Sequence, residues 1–148
     1  MQAYDRLMAV PSVPATAGTD VEQAMFAFVD AYNQAWEAAA GEHDLSTAQA
    51  CVLGRVETRR SMGELAEELR CDASNITQIV SRLEARELVH REPHPQDRRS
   101  RQIVRTPSGD DLYGVFEESF EFPRAAAANL TDAERRQLTA LLRKALPG

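Results

Sequence analysis

The sequence predicts a mainly α fold carrying a small β-hairpin wing, with a helix-turn-helix set between N- and C-terminal helices. Three observations predict it. Helix-start signals recur along the chain, two short amphipathic segments meet at a tight turn over Arg70, Cys71 and Asp72, and two extended segments flank a basic, turn-rich loop.

Residues 1–19 are rich in Pro, Ala, Ser and Thr and are expected to form a flexible lead, without the basic start and apolar stretch of a signal peptide. Asp20 then precedes Val21, Ala24, Met25, Phe28, Val29, Tyr32 and Trp36, an apolar stripe at helical spacing. Gln23 is placed as the capping partner and Gly41 as the stop, so residues 20–44 form one N-terminal helix.

Ser46 and Gln49 have capping-box spacing, in which the N-cap side chain and the side chain three residues on satisfy each other's amides. The helix they open carries Cys51, Val52, Leu53 and Val56. Ser61 and Glu64 form a second box, leading into Leu65, Ala66 and Leu69. Asp72 caps a third short helix with Ile76, Ile79, Val80 and Leu83 on one face. Leu88–Glu92 and Arg101–Thr106 read as strands around the loop Pro93–Ser100. Thr106 followed by Pro107 starts a further helix with Leu112, Val115, Phe116 and Phe120. Thr131 and Glu134 are the last box, opening a helix with Leu138, Leu141, Leu142 and Leu146. The expected units are therefore 20–44, a winged helix-turn-helix over 45–106, and two C-terminal helices over 107–148.

Charge is distributed unevenly. The net charge is -6, yet Arg55–Arg105 holds 11 arginines against 9 acids, leaving 6 basic and 14 acidic residues elsewhere. A locally basic segment binds phosphate despite an acidic body, because salt screens charges beyond ~8–10 Å.

The second helix of a helix-turn-helix needs an apolar face for the core and a face of short polar groups for base edges. Ser74, Asn75, Thr77, Gln78, Ser81 and Arg82 supply the polar face, with no acid until Glu84. Asn, Gln and Arg can pair with base edges in two-bond geometry, and Ser and Thr reach bases or phosphates. An ordinary amphipathic helix with a solvated face shows the same alternation. What favours nucleic acid is the loop that follows, because Arg98, Arg99 and Arg101 suit the negative potential of a narrow minor groove. With Ser61 they complete the candidate DNA contacts.

Leu45–Gln49, Gly63–Ala66, Asn75–Glu84, Leu88–Val89 and Asp97–Arg99, followed by Thr106 and Gly109, resemble the MarR family of bacterial transcriptional regulators in order and spacing. The resemblance covers about residues 21–146 and is most specific from Ser74 to Thr106. It implies a homodimer interlocked through its N- and C-terminal helices, straddling a pseudo-palindromic operator on double-stranded DNA. It also implies that Asp97 stabilises the wing by pairing with an arginine, Arg99 by the Asp-x-Arg pattern, with Arg98 at the tip. Two positions depart from the pattern. Glu87 stands where a glycine usually ends the recognition helix, and Arg105 replaces a leucine and is expected to face solvent or a phosphate.

Many proteins of this kind release DNA when a small aromatic or phenolic anion binds. Tyr32, Trp36 and His43 are the candidate ligand contacts, against the simpler view that the two aromatics are core or dimer residues and the histidine is solvated. Peroxide-sensing members carry a cysteine in the first helix, and none lies between Asp20 and Gly41; Cys51 reads as core and Cys71 as a more exposed turn residue. His43, His90 and His94 do not form a metal-ligand spacing, and no cofactor is called for. No glycine-rich phosphate loop or nucleophile-base pair supports an enzyme. A winged-helix protein-interaction module is the competing function, but it is expected to have a more apolar or acidic second helix. No apolar run reaches the ~18 residues of a membrane span, so the expected location is the cytoplasm.

Overall fold

Capping chemistry sets most element boundaries in the computed structural model, which describes residues 18–146. The lead over residues 1–17 lies outside the described residues. Helices α1 (Asp20–Glu42), α2 (Thr47–Arg55), α3 (Met62–Glu68) and α7 (Asp132–Ala145) each start on a reciprocal capping box, formed by Thr19–Glu22, Ser46–Gln49, Ser61–Glu64 and Thr131–Glu134. Such a cap contributes about 1 kcal/mol. Three of these pairs follow from the sequence spacing. At α1 the cap is Thr19 with Glu22, one residue earlier than Asp20 with Gln23; the Glu22 carboxylate accepts from both the amide and the hydroxyl of Thr19.

Three of the helix stops follow a second rule. Asp44, Arg70 and Glu87 have φ of 54°, 49° and 58°, and among the described residues no glycine has positive φ. Each closes a Schellman turn: the amides of Leu45, Cys71 and Leu88 donate back five residues to the carbonyls of Ala40, Ala66 and Leu83. Gly41 therefore does not stop α1; the helix runs through it to Glu42, and Asp44 takes the left-handed position. The buried side chains of Leu45 and Leu88 pin two of these turns, which offsets the roughly 1–2 kcal/mol that a left-handed non-glycine residue costs.

Helix α4 (Ala73–Ala85) follows α3 after the Arg70 turn. Asp72 has the extended backbone of an N-cap, but its side chain makes no capping bond. Strands β1 (Arg60–Ser61), β2 (Val89–Pro93) and β3 (Arg101–Arg105) form an antiparallel sheet in the order β1-β3-β2. Pro93 faces Arg101 on the outer strand, where a missing amide costs no interior ladder bond. Strand β1 pairs Arg60 with Ile103 and Ser61 with Gln102; two residues carry no periodicity by which to foresee it.

After α5 (Pro107–Ser119) the chain forms α6 (Phe122–Ala128) before α7, so three C-terminal helices replace the expected two. Leu53, Leu65, Ile76, Leu83, Ile103 and Phe116 are fully buried and tie α2 to α5 and β3 in one core. Burial of each contributes about 1.5–3 kcal/mol. Among the described residues no helix is long and apolar enough to cross a membrane.

Gly109 lies where α5 passes the exit of α4. A Cβ there would stand 2.0 Å from the Leu88 carbonyl oxygen, so only glycine permits the approach. Thr106 fastens the same junction: its amide donates to Leu88 O at 3.1 Å and its hydroxyl to Glu87 O at 2.6 Å.

Candidate nucleic-acid interface

The apolar stripe of α4, Ile76, Ile79, Val80 and Leu83, is buried, which turns the opposite face outward. Ser74, Thr77, Gln78, Ser81 and Arg82 are exposed on it, and Asn75 is half-buried. Thr77 donates its hydroxyl proton to Ala73 O at 2.8 Å. Its outward chemistry is thereby reduced to an acceptor lone pair and a methyl group, suited to an amino group or a thymine methyl. Ser61 is half-buried at the N-cap of α3, where its oxygen accepts the Glu64 amide at 3.2 Å.

The wing tip is a closed turn. His94 N donates to Ser100 O at 2.9 Å, and Ser100 N to Asp97 O at 3.0 Å. Asp97 Oδ1 accepts the Arg99 amide at 3.0 Å. Asp97 therefore meets Arg99 through its backbone, and no ion pair of Asp97 occurs among the described residues. This leaves the guanidinium of Arg99 free to point elsewhere. Arg98, Arg99 and Arg101 are all exposed.

Charge pairing separates body from face. Arg55 and Arg60 pair with Glu68, Arg59 with Glu92, Arg91 with Glu84 and Arg105 with Asp110. Among the described residues, no ion pair involves Arg82, Arg98, Arg99 or Arg101. Two acids near the face, Glu92 and Glu64, are held by hydrogen bonds instead. A hydrogen bond from His90 at 2.7 Å, with Arg59 nearby, holds the Glu92 carboxyl below the usual carboxylate range. The Ser61 amide and hydroxyl do the same for Glu64.

Residues 43–100, which hold this face apart from Arg101, match the MarR family. A protein of Thauera aromatica, proposed as a transcriptional regulator for the hcr operon, is 33% identical over 85 residues, 57% of this chain and 51% of its own length. The chain thus matches about half of that relative. Among solved structures, MarR of E. coli in its apo form superposes with a TM-score of 0.74 at 22% identity, covering 87% of this chain and 98% of that one. A mutant of MarR complexed with operator DNA gives 0.68 at 23% identity, covering 84% and 92%. YusO of Bacillus subtilis gives 0.67 at 23% identity, covering 86% and 94%. The fold is the winged helix of MarR-type regulators.

Against the MarR pattern, Glu87 keeps the left-handed exit turn that a glycine usually supplies. Arg105 does not face solvent or the wing. Its side chain is 10% exposed, with Nε 2.8 Å from Asp110 Oδ1 and the guanidinium 4.8 Å from the Tyr113 ring centroid.

The three residues singled out as ligand contacts part company. Trp36 helps line a cavity of about 390 Å³ with Tyr113, Phe116 and Phe120. Its indole Nε1 is buried without an acceptor among the described residues. Tyr32 stands behind it in an aromatic cluster, edge-on to Phe120 at 5.1 Å. His43 is bonded to Ser119 and does not line the cavity. Cys51 and Cys71 are both half-buried, and burial pushes the Cys51 thiol up, away from the reactive thiolate.

Two contributors escaped the sequence reading. Arg91 and Arg86 act on α4 from a strand and from its own last turn, and their partners lie 7 and 42 residues away in sequence. No local pattern encodes such pairings.

Proposed function

We propose that this chain is a sequence-specific DNA-binding transcriptional regulator that acts as a homodimer on a pseudo-palindromic operator. One observation carries the proposal: an acid-poor polar helix face lies beside wing arginines that form no ion pair among the described residues, while Glu84 and Glu92 nearby are paired. Helix α4 reads base edges in the major groove, and Arg98 and Arg99 enter the flanking minor groove. The uncovered apolar residues of α1 and α7, including Phe28, Val29, Leu141 and Leu142, form the dimer contact. A dimer lying across a promoter occludes polymerase, which makes repression the simplest action. The cavity at Trp36 takes a small aromatic ligand whose acceptor atom satisfies the indole N–H, and its occupation shifts the dimer away from the DNA-binding geometry.

Selection from a random duplex pool, followed by anisotropy titration at low and physiological salt, tests the core of this. An enriched palindrome bound tightly, with affinity falling steeply as salt rises, is the expected result. Weak binding at low salt with no enriched sequence overturns it in favour of a protein-interaction module.

A further inference from the structure

We infer that Arg86 is a positioning residue that fixes the DNA-reading helix against the rest of the protomer, and that Ser119 completes the link. The inference rests on the proposed DNA-binding function.

Arg86 is the C-cap of α4, on the same helix as Arg82. Arg82 has no partner of opposite charge among the described residues, whereas the Arg86 guanidinium is engaged away from the polar face. Its Nη1 donates to Asp44 O at 2.7 Å and its Nη2 to His43 O at 3.3 Å. Both carbonyls lie in the left-handed turn that ends α1, where the helix dipole places partial negative charge. A fork with two donors matches two adjacent carbonyls; a single ammonium does not.

The same turn is fastened on its other side. His43 Nε2 lies 3.1 Å from Ser119 Oγ, and the Ser119 hydroxyl donates to Phe116 O at 2.8 Å. A hydroxyl has one proton, and here it is committed to Phe116. His43 must therefore donate through Nε2–H, which both its neutral tautomer and its charged form can do. The result is a continuous chain: the last turn of α4, the 43–44 turn, and the last turn of α5. Phe116 and Phe120, at the α5 end, line the Trp36 cavity. The pitch of α4 in a groove is thus set by groups that touch no DNA.

The test measures operator affinity, non-specific affinity and salt slope for wild type, Arg86→Ala, Arg86→Lys, Ser119→Ala and the double variant Arg86→Ala/Ser119→Ala. It adds amide exchange of the DNA-free proteins. Arg86→Ala is expected to weaken operator binding about tenfold, the factor for one lost charge-assisted hydrogen bond. Non-specific affinity and salt slope should stay unchanged. Arg86→Lys should track the alanine variant, Ser119→Ala should weaken operator binding less, and the double variant should fall short of the product of the two. In exchange, Arg86→Ala should loosen the amides of Leu88 and Leu45 together. A salt slope lowered by about one unit, with lysine restoring it, overturns the inference and makes Arg86 a phosphate contact. Independent effects of Arg86→Ala and Ser119→Ala overturn the link to α5. If the wild type selects no operator, the exchange result still decides whether Arg86 holds the two turns together, separately from the failure of the DNA-binding function.

Discussion

Arg91 Nε lies 3.0 Å from Glu84 Oε2, and Arg91 Nη2 lies 3.3 Å from Ser81 Oγ. The first long strand of the wing thus reaches across to α4 and pairs with Glu84, the acid at the end of its polar face. Arg91→Ala should expose that carboxylate to the phosphates and weaken binding to every duplex a few-fold. Glu84→Gln in the Arg91→Ala background should recover most of the loss. Because exposed ion pairs contribute about 0–1 kcal/mol to folding, thermal melting should barely move. Equal losses in the single and double variants would show that Arg91 contacts DNA itself.

The wing arginines differ from Arg91 in having no carboxylate partner among the described residues. Arg98→Ala should weaken specific and non-specific binding alike and lower the salt slope by about one unit. Asp97→Ala removes the acceptor of the Arg99 amide, so it should loosen the tip and produce a milder version of the same loss. Anisotropy titrations over a salt series separate the two: Asp97→Ala should lower affinity while leaving most of the slope intact. A slope unchanged in Arg98→Ala would remove that residue from the interface.

Glu87 sits at φ 58° with its carbonyl accepting the Thr106 hydroxyl. Glu87→Gly should stabilise the protein by about 1 kcal/mol, since glycine meets no steric penalty there. For a chain of this size that is a rise in Tm of about 3 °C. Melting at fixed protein concentration measures it, and a lower Tm would mean that the extra freedom glycine gives the unfolded chain outweighs the relief of strain.

Much of this architecture was legible because its signals are local. Ser46, Ser61, Thr106 and Thr131 announce helix starts through spacings of three or four residues, and the capping bonds form as the spacing demands. The polar face of α4 followed from one amphipathic stripe. Helix stops were less legible, because the usual glycine signal is absent: Asp44 and Arg70 take left-handed turns that their side chains do not advertise, and Gly41 misleads. Strand β1 is too short for a pattern, and α6 is a proline-initiated turn hidden between Phe120 and Leu130. Arg105 departs from its expected exposure for a different reason. An arginine in a strand looks solvent-bound until the tertiary fold lays Asp110 and Tyr113 against it.

The exposed apolar faces of α1 and α7 give a fourth expectation. Val21 is 61% exposed, Phe28 49%, Leu141 55% and Leu142 48%, more apolar surface than a lone protomer leaves in water without use. Light scattering at micromolar concentration should return a dimer. Leu141→Glu combined with Leu142→Glu should yield monomers that retain the helical circular dichroism of the winged domain. A wild-type monomer would place these faces outside any self-contact.

The capping glutamates make stability depend on acid in a defined direction. The Ser61 amide, donating at 2.7 Å, and then the Ser61 hydroxyl hold the Glu64 carboxyl below the usual glutamate value in the folded state. A carboxyl depressed on folding contributes stability that is fully present above its unfolded value and is lost as pH falls through the folded one. The same sign applies to Glu22 and Glu134, each held down by the threonine it caps. Glu64→Gln keeps an oxygen for the Ser61 amide but cannot titrate. The variant should therefore melt below wild type at neutral pH, and the gap should close as pH falls below the ordinary glutamate value and through the lower folded one, where the wild-type carboxylate takes up its proton. Tm measured across that range, with a carbon-13 titration of Glu64 itself, decides the matter. A gap that stays constant while the carbon-13 signal shows Glu64 taking up its proton would mean that the carboxylate charge contributes nothing at this helix start, and that only the geometry of the cap matters.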